Sequence, residues 1–130
     1  ESNLSNIKPA CILDATNSGW AVHHANKDII LLINLLHLIS LKETYVLLHE
    51  ISKALKKGGI SIFYGPFMRN GKLTSAGDIS FHNSLVKSDP ELGYKNDSTI
   101  HAMLKSFGLK PLKKIKMPAN NLALVAQKPN

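Results

Sequence analysis

Cysteine is almost missing from the 130 residues: Cys11 stands alone, so no internal disulfide can form. Its setting in Ala10-Cys11-Ile12-Leu13 reads as a small buried thiol in a reducing compartment, and a cytoplasmic protein is expected. Long hydrophobic runs are missing too. The greasiest segment, residues 29–39, is broken by Asn34 and His37 and falls short of the ~18–20 apolar residues of a membrane span. No initiator methionine precedes Glu1, and no basic-then-apolar leader of the secretory kind follows it, so the chain is expected to begin partway through something longer. The histidines form no H-E-x-x-H and no pattern with cysteine, which leaves no metal centre to assign. Acids are scarce, nine against sixteen Lys and Arg. A net charge of +7 suits an anionic partner or simply a soluble surface, and charge alone does not choose.

What is present suits one domain over residues 1–130. With 44% hydrophobic and 19% charged residues, a chain of this length buries roughly 65–70% of its unfolded surface and needs no disulfide or metal to hold it. No repeat, low-complexity tract or linker divides it. Residues 9–14, Pro-Ala-Cys-Ile-Leu-Asp, read as a buried strand, and residues 15–27 as a loop pinned by Trp20. Residues 28–33 have the continuous apolar pattern of a strand covered on both faces. Ser40-Leu41-Lys42-Glu43 is a capping box, so a helix starts there, carries Leu47, Leu48, Ile51, Ala54 and Leu55 inward, and stops at Gly58. Residues 60–64 give a third strand, ended by Gly65-Pro66. Helices follow near 78–87 and from 97 or 98 to Gly108, and residues 109–117 and 122–126 close as an antiparallel hairpin. This order describes an α/β fold, mostly parallel with an antiparallel edge.

Ligands of parallel sheets sit beyond the carboxyl ends of the strands, where the loops diverge. Those ends carry Asp14, then Asn34 and His37, then Tyr64-Gly65-Pro66-Phe67. Asp14 and Asn34 fit loop capping equally well, since Asp and Asn commonly satisfy nearby backbone amides. Lys110, Lys113, Lys114 and Lys116 carry no interleaved aromatic on which a base could stack. They read as protection of an outer strand edge rather than as a nucleic-acid surface.

Five blocks in order, Leu13-Asp14-Ala15-Thr16, Ile33-Asn34-Leu35-Leu36-His37-Leu38, Leu55-Lys56-Lys57-Gly58-Gly59, Phe63-Tyr64-Gly65-Pro66-Phe67 and Met117-Pro118-Ala119-Asn120-Asn121-Leu122, resemble the methyltransferase-like protein 26 family, a group of unknown function. That family is similar to the Rossmann-like S-adenosylmethionine-dependent methyltransferases, whose sheet runs 3-2-1-4-5-7-6 with strand 7 antiparallel. On that plan residues 9–14 look like strand 3, 28–33 strand 4, 60–64 strand 5 and the hairpin strands 6 and 7. The chain is then a single partial methyltransferase-like domain lacking the first two strands. The eight glycines include no G-x-G, so the glycine-rich cofactor loop has no counterpart.

The resemblance implies S-adenosylmethionine as cofactor. It places Asp14 and Ala15 at the adenine, Asn34 and Leu35 along the methyl donor and acceptor, and His37 and Tyr64 as proton handlers. A histidine between Leu36 and Leu38 also reads as a structural residue, and Tyr64 as a ring in the core with its hydroxyl at the rim. The expected activity is that of the C-terminal part of a methyltransferase with an unidentified acceptor, inactive in isolation. The alternative is a non-catalytic interaction module that keeps the sheet and does not hold cofactor by itself. Strand 4 would be left with an open edge, to be filled by the first strand sliding over, by a second copy, or by a separate N-terminal segment.

Overall fold

The computed structural model describes residues 4–130. Strands β1 (Lys27–Ile33), β2 (Leu55–Gly65), β3 (Lys110–Lys116) and β4 (Leu122–Gln127) form one open sheet in the order β1-β2-β4-β3. β1 and β2 run parallel, from Ile29 opposite Ile60 to Ile33 opposite Tyr64, whereas β4 is antiparallel to both β2 and β3. A parallel crossover thus leads into an antiparallel hairpin, the α/β order expected from the sequence and the 4-5-7-6 half of the strand plan implied by the resemblance.

Helix α1 (Leu41–Ala54) makes the crossover. The hydroxyl of Ser40 accepts the amide of Glu43 at 3.0 Å and the Glu43 carboxylate accepts the amide of Ser40 at 2.9 Å, so the capping box is complete. Helices α2 (Ala76–Ser88) and α3 (Asp97–Ser106) follow β2. Leu47, Leu48 and Ile51 of α1 and Ile100 and Leu104 of α3 pack on Phe63, Leu122 and Leu124 of the sheet. Each such side chain contributes about 1.5–3 kcal/mol by leaving water. The turn at Asn70-Gly71 has positive φ at both residues (52° and 77°), as a tight hairpin turn of this hand requires.

Four expectations are corrected. Residues 9–14 form no strand and are exposed, Ile12 fully so: a strand needs a hydrogen-bonding neighbour, and none of the described residues pairs with this segment. Cys11 is therefore exposed rather than buried. β1 is covered on one face only: Ile29, Leu31 and Ile33 remain 59–60% exposed. Helix α1 stops at Ala54, with the amide of Leu55 closing on the carbonyl of Ile51, and Leu55 already belongs to β2. Gly58, with φ at +82°, lies instead where the register jumps from Lys27 opposite Leu55 to Ile29 opposite Ile60. Lys56 likewise sits in the strand, paired with Asp28.

Alternation explains the exposed face. Ser61 and Phe63 of β2 and Leu122, Leu124 and Ala126 of β4 point to the helices. Their neighbours Ile62, Tyr64, Ala123 and Val125 point the other way and, with Leu31, Ile33, Ile115 and Met117, line a shallow apolar depression of about 370 Å³. None of the described helices packs over that depression, and none is long and apolar enough to cross a membrane.

Candidate functional site

The carboxyl ends of β1 and β2 lie side by side because the two strands are parallel and in register. Asn34, just past β1, takes a left-handed conformation (φ 55°), which Asn tolerates better than most residues, and its amide donates to the carbonyl of Tyr64 at 2.8 Å. A Cβ on Gly65 would stand 3.3 Å from Asn34 Oδ1, so glycine lets the carboxamide lie against the backbone of β2. The chain then enters a single helical turn, Leu36–Leu38, that carries His37.

His37 is buried. Its ring meets Phe81 of α2 edge-on at 5.6 Å and Tyr94 at 6.1 Å. Burial, and secondarily the charge of Lys95, holds the imidazole below its ordinary range. Tyr64 is half-buried on the open face, and its hydroxyl accepts from Asn121 Nδ2 at 3.3 Å. The structure brings Asn34 and Tyr64 together through the β1–β2 register. His37 and Tyr64 have separate surroundings, one beneath α2 and one at the rim of the apolar face.

Asp14 is exposed and its carboxylate caps its own loop. Oδ1 accepts the hydroxyl of Thr16 at 2.6 Å and its amide at 3.0 Å, and Oδ2 accepts Asn17 Nδ2 at 3.1 Å. The Thr16 hydroxyl, then its amide, hold Asp14 below the ordinary carboxylate range. A carboxylate offers about four acceptor directions, so one remains for a further donor such as an exocyclic amine. Ala15 and Leu35 each pack against the core, and the Ala15 carbonyl accepts Trp20 Nε1 at 3.0 Å.

Three groups that support this end of the sheet escaped the sequence reading. Glu50 is buried on α1 and accepts the amide of Ala21, anchoring the loop that follows Asp14. Its signal was an acid on the helical stripe of Leu47, Ile51 and Ala54. Burial opposes its ionisation, but Lys53 and the amides of Ala21 and Gly19 outweigh that and hold it low. Arg69 donates to Asn120 Oδ1 at 2.8 Å and to the Asn120 carbonyl at 2.7 Å, clamping the turn before β4, where Ala119 and Asn120 have φ of 57° and 60°. Asp78 of α2 accepts from the Tyr94 hydroxyl at 2.7 Å and from Asn120 Nδ2 at 2.7 Å. Burial again works against the charge, and Tyr94, Ser75 and Asn120 overcome it.

The family described as a protein of unknown function, DUF938, matches residues 1–128. The chain belongs to that family. Among solved structures, this DUF938 chain is similar to an O-methyltransferase family protein from Burkholderia thailandensis (15% identity, TM-score 0.75, covering 91% of this chain and 35% of that one). It is also similar to an O-methyltransferase family 2 protein from Planctomyces limnophilus in complex with apigenin (18%, 0.71, 79% and 31%). A third is human N-acetylserotonin methyltransferase in complex with SAM (22%, 0.68, 79% and 30%). The DUF938 chain thus has a methyltransferase-like fold and spans about a third of the length of these structures.

Proposed function

We propose that this chain forms the downstream side of an S-adenosylmethionine-dependent methyltransferase site with an unidentified acceptor, and, more finely, that it is of the methyltransferase-like protein 26 kind. One observation carries the reading. Asn34 and Gly65 are packed together at the carboxyl ends of adjacent parallel strands, with a buried histidine one turn beyond, in a sheet whose order is that of the methyltransferase fold.

On this reading Asp14 and Ala15 hold the adenine, the free acceptor direction of Asp14 taking its amino group. Asn34 and Leu35 line the approach between donor and acceptor. S-adenosylmethionine supplies a methyl group on a sulfonium, transferred by in-line displacement. The protein then has to align the acceptor and, where the acceptor is a hydroxyl or amine, take up its proton. His37, kept neutral by burial, is suited to accept that proton; the Tyr64 hydroxyl, steadied by Asn121 at the rim of the apolar face, is the other candidate to handle it. Upstream sequence would supply the glycine-rich turn and, with it, the layer that covers the apolar face and pairs with the open edge of β1. A second copy is the other candidate for that place. We assign the protein to the cytoplasm on its single free cysteine.

Titration calorimetry with S-adenosylhomocysteine tests the proposal. No heat with residues 1–130 and binding once the upstream sequence is present supports it. The absence of G-x-G favours a second reading, a module that keeps the sheet without holding cofactor. Failure to bind in either form would establish that reading instead.

A further inference from the structure

Lys95 lies in the loop between α2 and α3, buried, and is in no salt bridge among the described residues. Its ammonium donates to the carbonyl of Ile39 at 2.6 Å and to that of Gly93 at 2.9 Å. The amide of Gly93 in turn donates to the carbonyl of His37 at 3.1 Å. One loop therefore grips the turn of His37 on both sides of Leu38. Burying an ammonium against two neutral carbonyls is costly, and an apolar side chain of similar length would fill the space without that cost. The charge acts on the His37 ring, whose turn the same loop holds.

The surroundings leave Lys95 as the principal charge there. Phe81 of α2 and Tyr94 of the loop face the imidazole edge-on. The Tyr94 hydroxyl is spent on Asp78, and His82 Nδ1 accepts the Tyr94 amide at 3.0 Å. Glu43, at the start of α1, acts on Lys95 and partly offsets the depression that burial imposes on its ammonium.

We propose that Lys95 is a positioning residue for His37: it fixes the turn that carries the imidazole and sets the electrostatic surroundings in which that ring would take a proton. This rests on the reading of His37 as the acceptor's base. Burial already disfavours a cationic ring, the charge of Lys95 adds to that cost, and the hydrogen bonds at Ile39 and Gly93 keep the turn from drifting.

Histidine-detected NMR titration of the intact protein tests this without turnover, so it can fail or succeed independently of the cofactor titration above. In Lys95→Met, His37 should bind its proton roughly threefold more tightly, a rise of about half a pH unit, with its ring contacts to Phe81 and Tyr94 weakened. Lys95→Arg should keep the proton affinity of the unaltered protein. If Lys95→Met does not fold, Lys95→Gln, a neutral side chain that keeps N–H donors, removes the charge and should show the same rise. A His37 midpoint identical in the unaltered protein and in a folded Met or Gln variant would overturn the proposal. So would an equal rise in the Arg variant.

Discussion

Glu50 accepts the backbone amide of Ala21 at 3.0 Å across 29 positions of sequence, from inside the apolar stripe of α1. The acid sits on the core-facing stripe, where it holds the loop that begins at Asp14. Glu50→Ala would leave the Ala21 amide buried without a partner, at a cost of about 1–3 kcal/mol. Urea unfolding should show that loss as a lower midpoint at unchanged slope. An unchanged midpoint would mean that Trp20 alone pins the loop.

Arg69 clamps a turn that the backbone does not favour. Ala119 at φ 57° lacks the side-chain hydrogen bonding that makes the left-handed region tolerable for Asn, so the contacts from Arg69 to Asn120 and Asn121 must offset its strain. Lys in its place is a point charge that cannot make the forked contact. Arg69→Lys should lose about 1–2 kcal/mol of stability and loosen the Asn121–Tyr64 contact. Urea unfolding and the chemical shift of the Asn121 side-chain amide would register the two effects.

Local chemistry made much of this fold readable. The Ser40–Glu43 capping box, the turn at Asn70-Gly71 and the alternation of residues 109–126 each specify their own geometry within a few residues. Residues 9–14 misled because strand propensity is real only when a neighbour exists to bond with, and pattern alone cannot count neighbours. The continuous apolar run of β1 likewise describes a strand covered on both faces, while only one face is covered by α1 and α3. Gly58 terminates nothing, since the bulge it occupies depends on pairing with residues 27–29. In the site, Asn34, His37 and Tyr64 stood out because strand ends are legible. Lys95, Glu50 and Arg69 did not, because their partners lie 29 to 56 positions away.

Acid should weaken the fold in two stages. His37 and His101 lie below the ordinary imidazole value of 6.5, chiefly through burial, so the unfolded chain takes up their protons more readily than the folded one. Their contribution is complete above pH 6.5 and is lost as the pH falls from there toward the folded values. Glu50, Asp78 and Asp97 are also held low, and their contribution, complete above the ordinary values of 4.5 and 3.8, disappears at lower pH. Urea midpoints measured against pH should therefore decline first just below 6.5 and again below 4.5. His37→Gln should flatten the first decline and leave the second; an unchanged first decline would remove His37 as its source.

The two faces of the sheet should respond oppositely to substitution. Leu47 is 1% exposed and Leu31 59%, although both are leucines of regular elements. Leu47→Ala opens a cavity in a packed core and should cost about 2–5 kcal/mol. Leu31→Lys removes little packing, since the leucine is mostly exposed and a lysine stem can lie on the same apolar neighbours, and should change the stability of residues 1–130 by less than about 0.5 kcal/mol. Its effect should fall on association, because an apolar depression beside an open strand edge attracts a covering partner. Sedimentation velocity should show less self-association for Leu31→Lys than for the unaltered chain. If an upstream segment covers this face as proposed, the same substitution should become destabilising in the extended form, because the leucine would then be buried. A lysine tolerated equally in both forms would show that this face stays open to water.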